Sequence, residues 1–167
     1  MSLETYTLVH VIISLVAIAS GLIVFLGMLS NKRMNALTAV FLATTVLTSV
    51  TGFFLPFAHV TPGIIVGILS LIVLAIAIPA RYTKRMVGGW RKTYVITSAI
   101  ALWFNLFVLV VQCFQKVPAL HALAPTGQEP PFAIAQLLVL AVTAALAIAA
   151  AKRFHDEPAA FAKKVAR

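Results

Sequence analysis

Acidic residues are nearly absent from this chain, whose 167 residues include only 4 Asp and Glu. Charged residues of both signs make up 10% of the sequence, whereas soluble domains have about 25%. So few charges cannot cover the surface of a soluble monomer, and the 62% of residues that are hydrophobic cannot all be buried in so small a globule. The composition therefore excludes a water-soluble monomer and predicts that most of the surface faces lipid.

Cysteine is also scarce, because Cys113 is the only one and no intrachain disulfide can form. The sequence has no Cys-x-x-Cys motif and no His-Glu-x-x-His motif. Gly88 and Gly89 lie between basic residues but lack the Lys-Ser/Thr ending of a phosphate-binding loop, so a simple turn is expected there. These absences favour a protein that is not an enzyme on its own, and they leave any metal unidentified.

Long apolar runs dominate what is present. A hydrocarbon core of about 30 Å takes about 20 helical residues. Five runs of this length predict spans at residues 7–29, 36–57, 62–80, 93–114 and 132–151. The runs lack the alternation of barrel strands, so only helices satisfy their backbone groups in lipid. We predict an all-α membrane bundle of five transmembrane helices in one domain, residues 1–151, with a basic tail at 152–167.

Basic residues outnumber acidic ones by 13 to 4, for a net charge of +9. In a soluble protein this excess would suggest nucleic acid, but here the basic residues lie between the predicted spans. Twelve of the thirteen fall on one side of the membrane, and only Lys116 falls on the other. This asymmetry predicts an amino terminus outside and a carboxyl terminus in the cytoplasm. The expected partner is the lipid bilayer and not nucleic acid.

Polar residues inside the predicted spans are all neutral, since no Asp, Glu, Lys or Arg falls within them. Proton-coupled transport is therefore disfavoured. His10 and Ser14 share one face of the first span, and Asn105 and Gln112 share one face of the fourth. For Asn105, near mid-span, a hydrogen bond to a neighbouring helix is the expected use.

Two segments outside the spans carry their own expectations. Residues 115–131 contain four prolines and predict either a stiff external lid or an extended segment on the outer side. Residues 159–167 suit either a short amphipathic helix on the inner leaflet or a frayed helix end. Tyr82, Trp90 and Tyr94 flank the inner ends of two spans and are expected to belong to the aromatic belt.

Three of the four histidines come to the outer side in this topology. His10, His59 and His121 would lie beneath the lid with Gln112 and Gln136, which predicts a polar pocket there. Paired imidazoles are the usual axial ligands of membrane b-type haem, whereas a quinone needs only one or two hydrogen-bonding groups in an apolar slot. Histidines that are merely solvated or bonded to carbonyl groups are the simpler alternative.

Two stretches support a resemblance. They read TGFFLPF at 51–57, and NLFVLVVQ at 105–112 followed by KVPAL at 116–120 and EPPF at 129–132. The chain resembles a family of small bacterial inner-membrane proteins to which no activity is assigned. The resemblance implies a multi-pass protein of the bacterial inner (cytoplasmic) membrane, and it carries over no catalytic residue.

Three functions remain as expectations. The first is a non-enzymatic accessory or scaffold subunit that associates with other membrane subunits or with itself. The second is a redox subunit that binds haem or quinone through the outward-facing histidines. The third is passage of a neutral solute, which would need a polar path past Thr48 and Asn105.

Overall fold

The computed structural model describes residues 2–55 and 62–155. Within these ranges every regular element is a helix: α1 (Leu3–Leu29), α2 (Asn35–Gly52), α3 (Pro62–Tyr82), α4 (Gly89–Lys116), α5 (Pro118–Leu123) and α6 (Pro130–Arg153). All but α5 are long and apolar enough to cross a membrane. The prediction of an all-helical chain with five candidate spans is therefore confirmed for the described residues. The helix considered for residues 159–167 lies outside them.

The second helix is shorter than predicted. It ends at Gly52 rather than at Phe57, because residues 53–55 form a turn in which Phe53 N–H donates to the Val50 carbonyl at 3.2 Å. This bond joins residues three apart, as in a 3₁₀ turn, and tightens the chain at the helix end. The prediction of one continuous helix through residues 53–55 was therefore wrong.

Of the two alternatives predicted for residues 115–131, the extended segment was wrong. The helix α4 continues to Lys116, and α5 follows at once with Pro118 at its first position. A proline is compatible with that position because the first helical N–H has no partner within the helix. Four prolines therefore did not exclude a helix, since one of them starts it.

The loop between α5 and α6 is organised by Glu129, the residue before α6. Its carboxylate accepts hydrogen bonds from the Thr126 N–H at 3.0 Å, the Thr126 hydroxyl at 2.8 Å and the Gln128 N–H at 3.0 Å. Although desolvation opposes the charged form, these hydrogen bonds stabilise it and hold the pKa of Glu129 at about 2. The loop is thus closed by an ionised carboxylate.

The helices α1 to α4 form a bundle, with α1 against α2, α2 against α3, α3 against α4, and α4 against α1. The sixth helix packs outside this bundle, on α4 and α1. Its only buried residues are Thr143 and Ala150. The four-helix bundle therefore supplies the interior, and α6 presents most of its surface to the surroundings.

One end of the bundle, which we call the basic end, holds the α1–α2 and α3–α4 connections and the end of α6. Nine of the ten described Lys and Arg residues lie at this end: Lys32, Arg33, Arg81, Lys84, Arg85, Arg91, Lys92, Lys152 and Arg153. Lys116, the tenth, lies at the opposite end. The fold therefore gathers the charges that the sequence distributes over several loops.

Arg81 and Tyr94 are buried near the basic end. The Arg81 guanidinium donates to Asn35 Oδ1 at 2.6 Å and to Met86 Sδ at 3.2 Å, and it lies 5.2 Å from the centre of the Tyr94 ring. Tyr94 is fully buried, so its predicted place in the aromatic belt was wrong. Its ring lies inside the bundle, where its face interacts with the buried guanidinium of Arg81.

The last turn of α6 is tied to the rest of the basic end. Arg91 donates to the carbonyl oxygen of Ala151 at 3.1 Å and to that of Phe154. The next residue, His155, donates its backbone N–H to Asn31 Oδ1 at 2.8 Å. The two bonds from Arg91 satisfy carbonyl groups at a helix end that have no partner within the helix.

The middle of the bundle is closed where three helices meet at Gly21. A methyl group on Gly21 would lie 2.8 Å from the Phe41 ring and 2.9 Å from Leu102. Phe41 and Leu102 are both fully buried. We call Gly21, Phe41 and Leu102 the floor, because large, fully buried side chains such as Phe25 and Tyr94 lie between it and the basic end.

Candidate functional site

A cavity of about 530 Å³ lies above the floor, between α1, α2, α3 and α4, in the half of the bundle opposite the basic end. Its walls are mostly apolar. They include Val11 and Leu15 from α1, Val66 from α3, and Val108 and Leu109 from α4. Three small residues of α3, Gly63, Gly67 and Ser70, are among those that line it.

Polar residues line the cavity at different depths. Lys116 lies at the end opposite the basic end, Gln112 lies about one turn further in, and Asn105 lies at the base. Eleven residues separate Lys116 from Asn105 along α4, which corresponds to about 16 Å of helix. The cavity therefore extends over about half the thickness of a hydrocarbon core of about 30 Å.

His10 is half-buried and lines the cavity midway along its depth. Its Nδ1 lies 2.8 Å from the Thr51 hydroxyl oxygen, and the Tyr6 hydroxyl donates to the Thr51 carbonyl oxygen at 2.8 Å. Gly52 follows Thr51, and a methyl group there would lie 3.5 Å from His10 Cε1. This is an ordinary van der Waals distance, so the imidazole lies close beside α2 at Gly52.

Asn105 connects α4 with α2. Its side-chain amide donates to the Thr45 hydroxyl oxygen at 3.2 Å, and the residue is 8% exposed. The interhelical hydrogen bond predicted for Asn105 is therefore confirmed. The same residue also lines the cavity, so packing and lining are both roles of this side chain.

Two hydroxyl groups beside the cavity have no hydrogen-bond partner among the described residues. They belong to Ser70, which is 2% exposed, and to Thr48. A buried hydroxyl without a partner is unfavourable, and most such groups in proteins are satisfied by protein, water or ligand. Ser70 and Thr48 therefore mark the part of the cavity where a further polar atom would be stabilised.

The sequence-predicted site residues separate into three groups. His10 and Gln112 both line the cavity. Gln136 lies between α6 and α4, where its amide donates to the Phe107 carbonyl oxygen at 3.2 Å. His121 is exposed on α5, and His59 lies outside the described residues. The structure thus brings two of the five together and places Gln136 and His121 elsewhere.

Other residues of the cavity were not identified from the sequence. Ser70 is a single hydroxyl in an apolar helix, and a lone serine carries no signal by itself. Lys116 was recognised as the only basic residue of its side, but it was assigned to a loop. The structure makes it the end of α4 and places it at the cavity. For Lys116, the sequence did not show that α4 extends this far.

The described residues contain no cluster of three or more His, Cys, Asp or Glu side chains that could hold a metal ion. Cys113 is a free thiol, half-buried on α4. The cavity therefore offers hydrogen bonds and apolar contacts from the described side chains, with a single imidazole among them.

Comparison of the chain with family models, with curated proteins and with solved structures finds no significant match. Only the residues of the cavity and its surroundings therefore bear on what the site binds.

Proposed function

We propose that this protein is a multi-pass protein of the bacterial inner membrane that binds an amphipathic small molecule of the quinone and quinol type in the cavity. The cavity carries the proposal, because it combines apolar walls with His10, Asn105 and Gln112. Its volume of about 530 Å³ falls within the range of about 300–1,000 Å³ that is typical of small-molecule sites.

The proposed orientation places the amino terminus outside and the carboxyl terminus in the cytoplasm. It is supported by the nine basic residues gathered at the basic end, because loops rich in Lys and Arg are retained in the cytoplasm. In this orientation the cavity belongs to the outer half of the membrane.

One wall of the cavity is accessible from the bilayer, which favours a ligand that dissolves in lipid. Val11 and Leu15 line it and remain 39% and 48% exposed, so this wall is only partly covered by protein. In a membrane the exposed part of these side chains would contact lipid. A molecule with an apolar chain can therefore enter sideways and keep its chain in the hydrocarbon.

The polar groups of the cavity favour a neutral head group. Among the described residues, Lys116 is the only charged one that lines it, and it lies at the end opposite the basic end. Deeper in the cavity, His10, Asn105 and Gln112 offer neutral donors and acceptors. A ring that carries oxygen atoms matches these groups, whereas a charged head group would find no counter-ion at that depth among the described residues.

The other predicted functions have less support. A bis-histidine haem needs two imidazoles, and His10 is the only histidine of the described residues that lines the cavity. Passage of a neutral solute past Thr48 and Asn105 would have to continue through the floor, where Phe41 and Leu102 are fully buried. The accessory or scaffold role stays a prediction.

The proposal is tested by filling the cavity. Ser14 lines it from α1, and Ser14→Phe would occupy part of its volume. The matched control is Ala19→Phe, which adds a similar volume at an exposed position of the same helix. Each variant is purified in nanodiscs of inner-membrane lipid, and organic extracts are compared for quinones by mass spectrometry.

We expect the sum of quinone and quinol to exceed the level of empty nanodiscs for the wild type and for Ala19→Phe, and to stay at background for Ser14→Phe. Equal amounts in all three samples would contradict the proposal. A visible absorption spectrum of the same samples provides a second readout. A Soret band that His10→Ala removes would favour haem instead.

A further inference from the structure

The Thr51 hydroxyl group has one hydrogen atom, and α2 uses it. Thr51 Oγ1 lies 2.6 Å from the Leu47 carbonyl oxygen and 3.3 Å from that of Thr48. Carbonyl oxygens only accept hydrogen bonds, so the hydroxyl must be the donor in the shorter of these contacts. Toward His10, the same oxygen is therefore left as an acceptor.

This assignment decides where the imidazole of His10 carries its proton. The contact of 2.8 Å between His10 Nδ1 and Thr51 Oγ1 needs a donor, and Thr51 has none left. Nδ1 therefore bears the hydrogen. In a neutral imidazole the other nitrogen, Nε2, then carries a lone pair and can only accept.

The Nε2 atom has no hydrogen-bond partner among the described residues, and its ring lines the cavity. We infer that the head group of the ligand is a hydroxyl donor, a quinol or another phenol, which donates its hydrogen bond to His10 Nε2. Thr51 is the positioning residue that fixes the tautomer. This inference rests on the proposed function and names the form of the ligand that the site prefers.

The oxidised form of the same ligand is disfavoured at this position. A quinone carries carbonyl oxygens, which are acceptors, and an acceptor that faces the lone pair of Nε2 forms no hydrogen bond. Losing one hydrogen bond and leaving a buried acceptor unpaired weakens binding by about tenfold or more. The cavity therefore distinguishes a hydroxyl from a carbonyl or an ether at one atom.

The closing experiment uses two probes of nearly the same shape. One is 4-hexylphenol, which donates a hydrogen bond, and the other is 4-hexylanisole, in which a methyl group replaces the hydroxyl hydrogen. Binding to the full-length protein in nanodiscs is measured against empty nanodiscs, so that partition into lipid is subtracted. We expect the wild type to prefer the phenol by about tenfold.

Three variants connect this preference with His10 and Thr51. The preference should disappear in His10→Ala and persist in His121→Ala, whose histidine is exposed on α5. Thr51→Val removes the acceptor for Nδ1 with little change of shape, so the phenol should lose most of its advantage while the binding of 4-hexylanisole stays the same. Thr51→Ser restores a hydroxyl and should restore the preference.

The tautomer is measured independently of any ligand, by ¹⁵N NMR of protein labelled at histidine. A difference spectrum against His10→Ala assigns the two signals of His10. We expect a protonated, pyrrole-like Nδ1 and an unprotonated, pyridine-like Nε2. In Thr51→Val the Nδ1 proton loses its acceptor, and the signals should move toward a mixture of tautomers.

The outcomes separate the two proposals. If neither probe binds, the proposed function fails, and the NMR spectrum still reports the tautomer. If both probes bind equally to the wild type, the cavity binds amphipathic molecules and the inference about the hydroxyl donor is overturned. A protonated Nε2 in the wild type would also overturn it.

Discussion

The two halves of the bundle are built from the same kinds of apolar residue but differ in packing. One, which we call the filled half, buries large side chains, and the other, the hollow half, contains the cavity. From the floor to the basic end, large side chains such as Phe25, Phe41 and Tyr94 are fully buried. On the other side of the floor, a cavity of about 530 Å³ occupies the space between the same four helices. Hydrophobic composition therefore does not decide where a membrane bundle is packed.

The difference comes from where large and small residues fall. In the filled half, the loop after α3 returns over the helix end and buries Met86, while the end of α6 buries Phe154. In the hollow half, α3 presents Gly63, Gly67 and Ser70 to the interior. Stability is thus expected to come mainly from one half, and ligand binding from the other.

The sharpest test of this division is the removal of one phenyl ring from each half. Phe41→Ala should destabilise the protein by about 3 kcal/mol, at the lower limit of the range for a buried phenylalanine, since lipid rather than water surrounds this bundle. Phe53→Ala removes a ring that lines the cavity and is 37% exposed, so its effect should stay below about 1 kcal/mol. Unfolding free energies in mixed detergent micelles provide the measurement. Equal losses would show that the halves do not differ in their contribution.

The floor offers a second test, because it separates the halves. Gly21→Ala places a methyl group within 3.0 Å of the Phe41 ring and of Leu102, and overpacking of this kind costs about 1–3 kcal/mol. Gly89→Ala is the control, since a methyl group there has no atom within 4 Å. A thermal unfolding series should show a loss of stability for Gly21→Ala and none for Gly89→Ala. Equal changes in thermal stability for the two variants would contradict the close packing at the floor.

Two serines sharpen the comparison within the hollow half. Ser49 Oγ donates to the Thr45 carbonyl oxygen at 3.0 Å, whereas Ser70 Oγ has no partner among the described residues. In ligand-free protein, Ser70→Ala should keep or raise the stability, by up to about 1 kcal/mol, because it removes an unsatisfied buried hydroxyl. Ser49→Ala should lower it by at most about 0.5 kcal/mol, because the bond that it removes lies within α2 and leaves no group unpaired. A clear loss for Ser70→Ala would mean that its hydroxyl is already satisfied.

Much of the helical architecture could be predicted from the sequence. The spans follow from run length and from the need to satisfy backbone groups, and these depend on local sequence alone. The bond of Asn105 to a neighbouring helix was also predictable, because a mid-span amide has few other partners. His10 and Gln112 were recognised as polar residues near one boundary, and both line the cavity.

The details that were missed depend on helix ends and on rotation about the helix axis. Tyr94 and Arg81 lie close to predicted span boundaries, where one residue more or less decides whether a side chain is inside. Gln136 is at a suitable depth but lies between α6 and α4 rather than at the cavity. Hydropathy gives depth and no rotation, so the neighbours of these residues could not be predicted.

The smallest expected effect is local and concerns the Glu129 loop at the end opposite the basic end. Hydrogen bonds lower the pKa of Glu129 from 4.5 to about 2. A lowered pKa means that the loop is stabilised fully above pH 4.5 and loses this stabilisation as the pH falls toward 2. A ¹³C NMR titration of the carboxyl group should therefore show a midpoint near 2, and Thr126→Val, which removes one donor, should raise it. Glu129→Gln should also accelerate the amide exchange of Thr126 and Gln128, because it removes the charge that these groups bind. A wild-type midpoint near 4.5 together with unchanged amide exchange in Glu129→Gln would mean that the carboxylate does not close the loop.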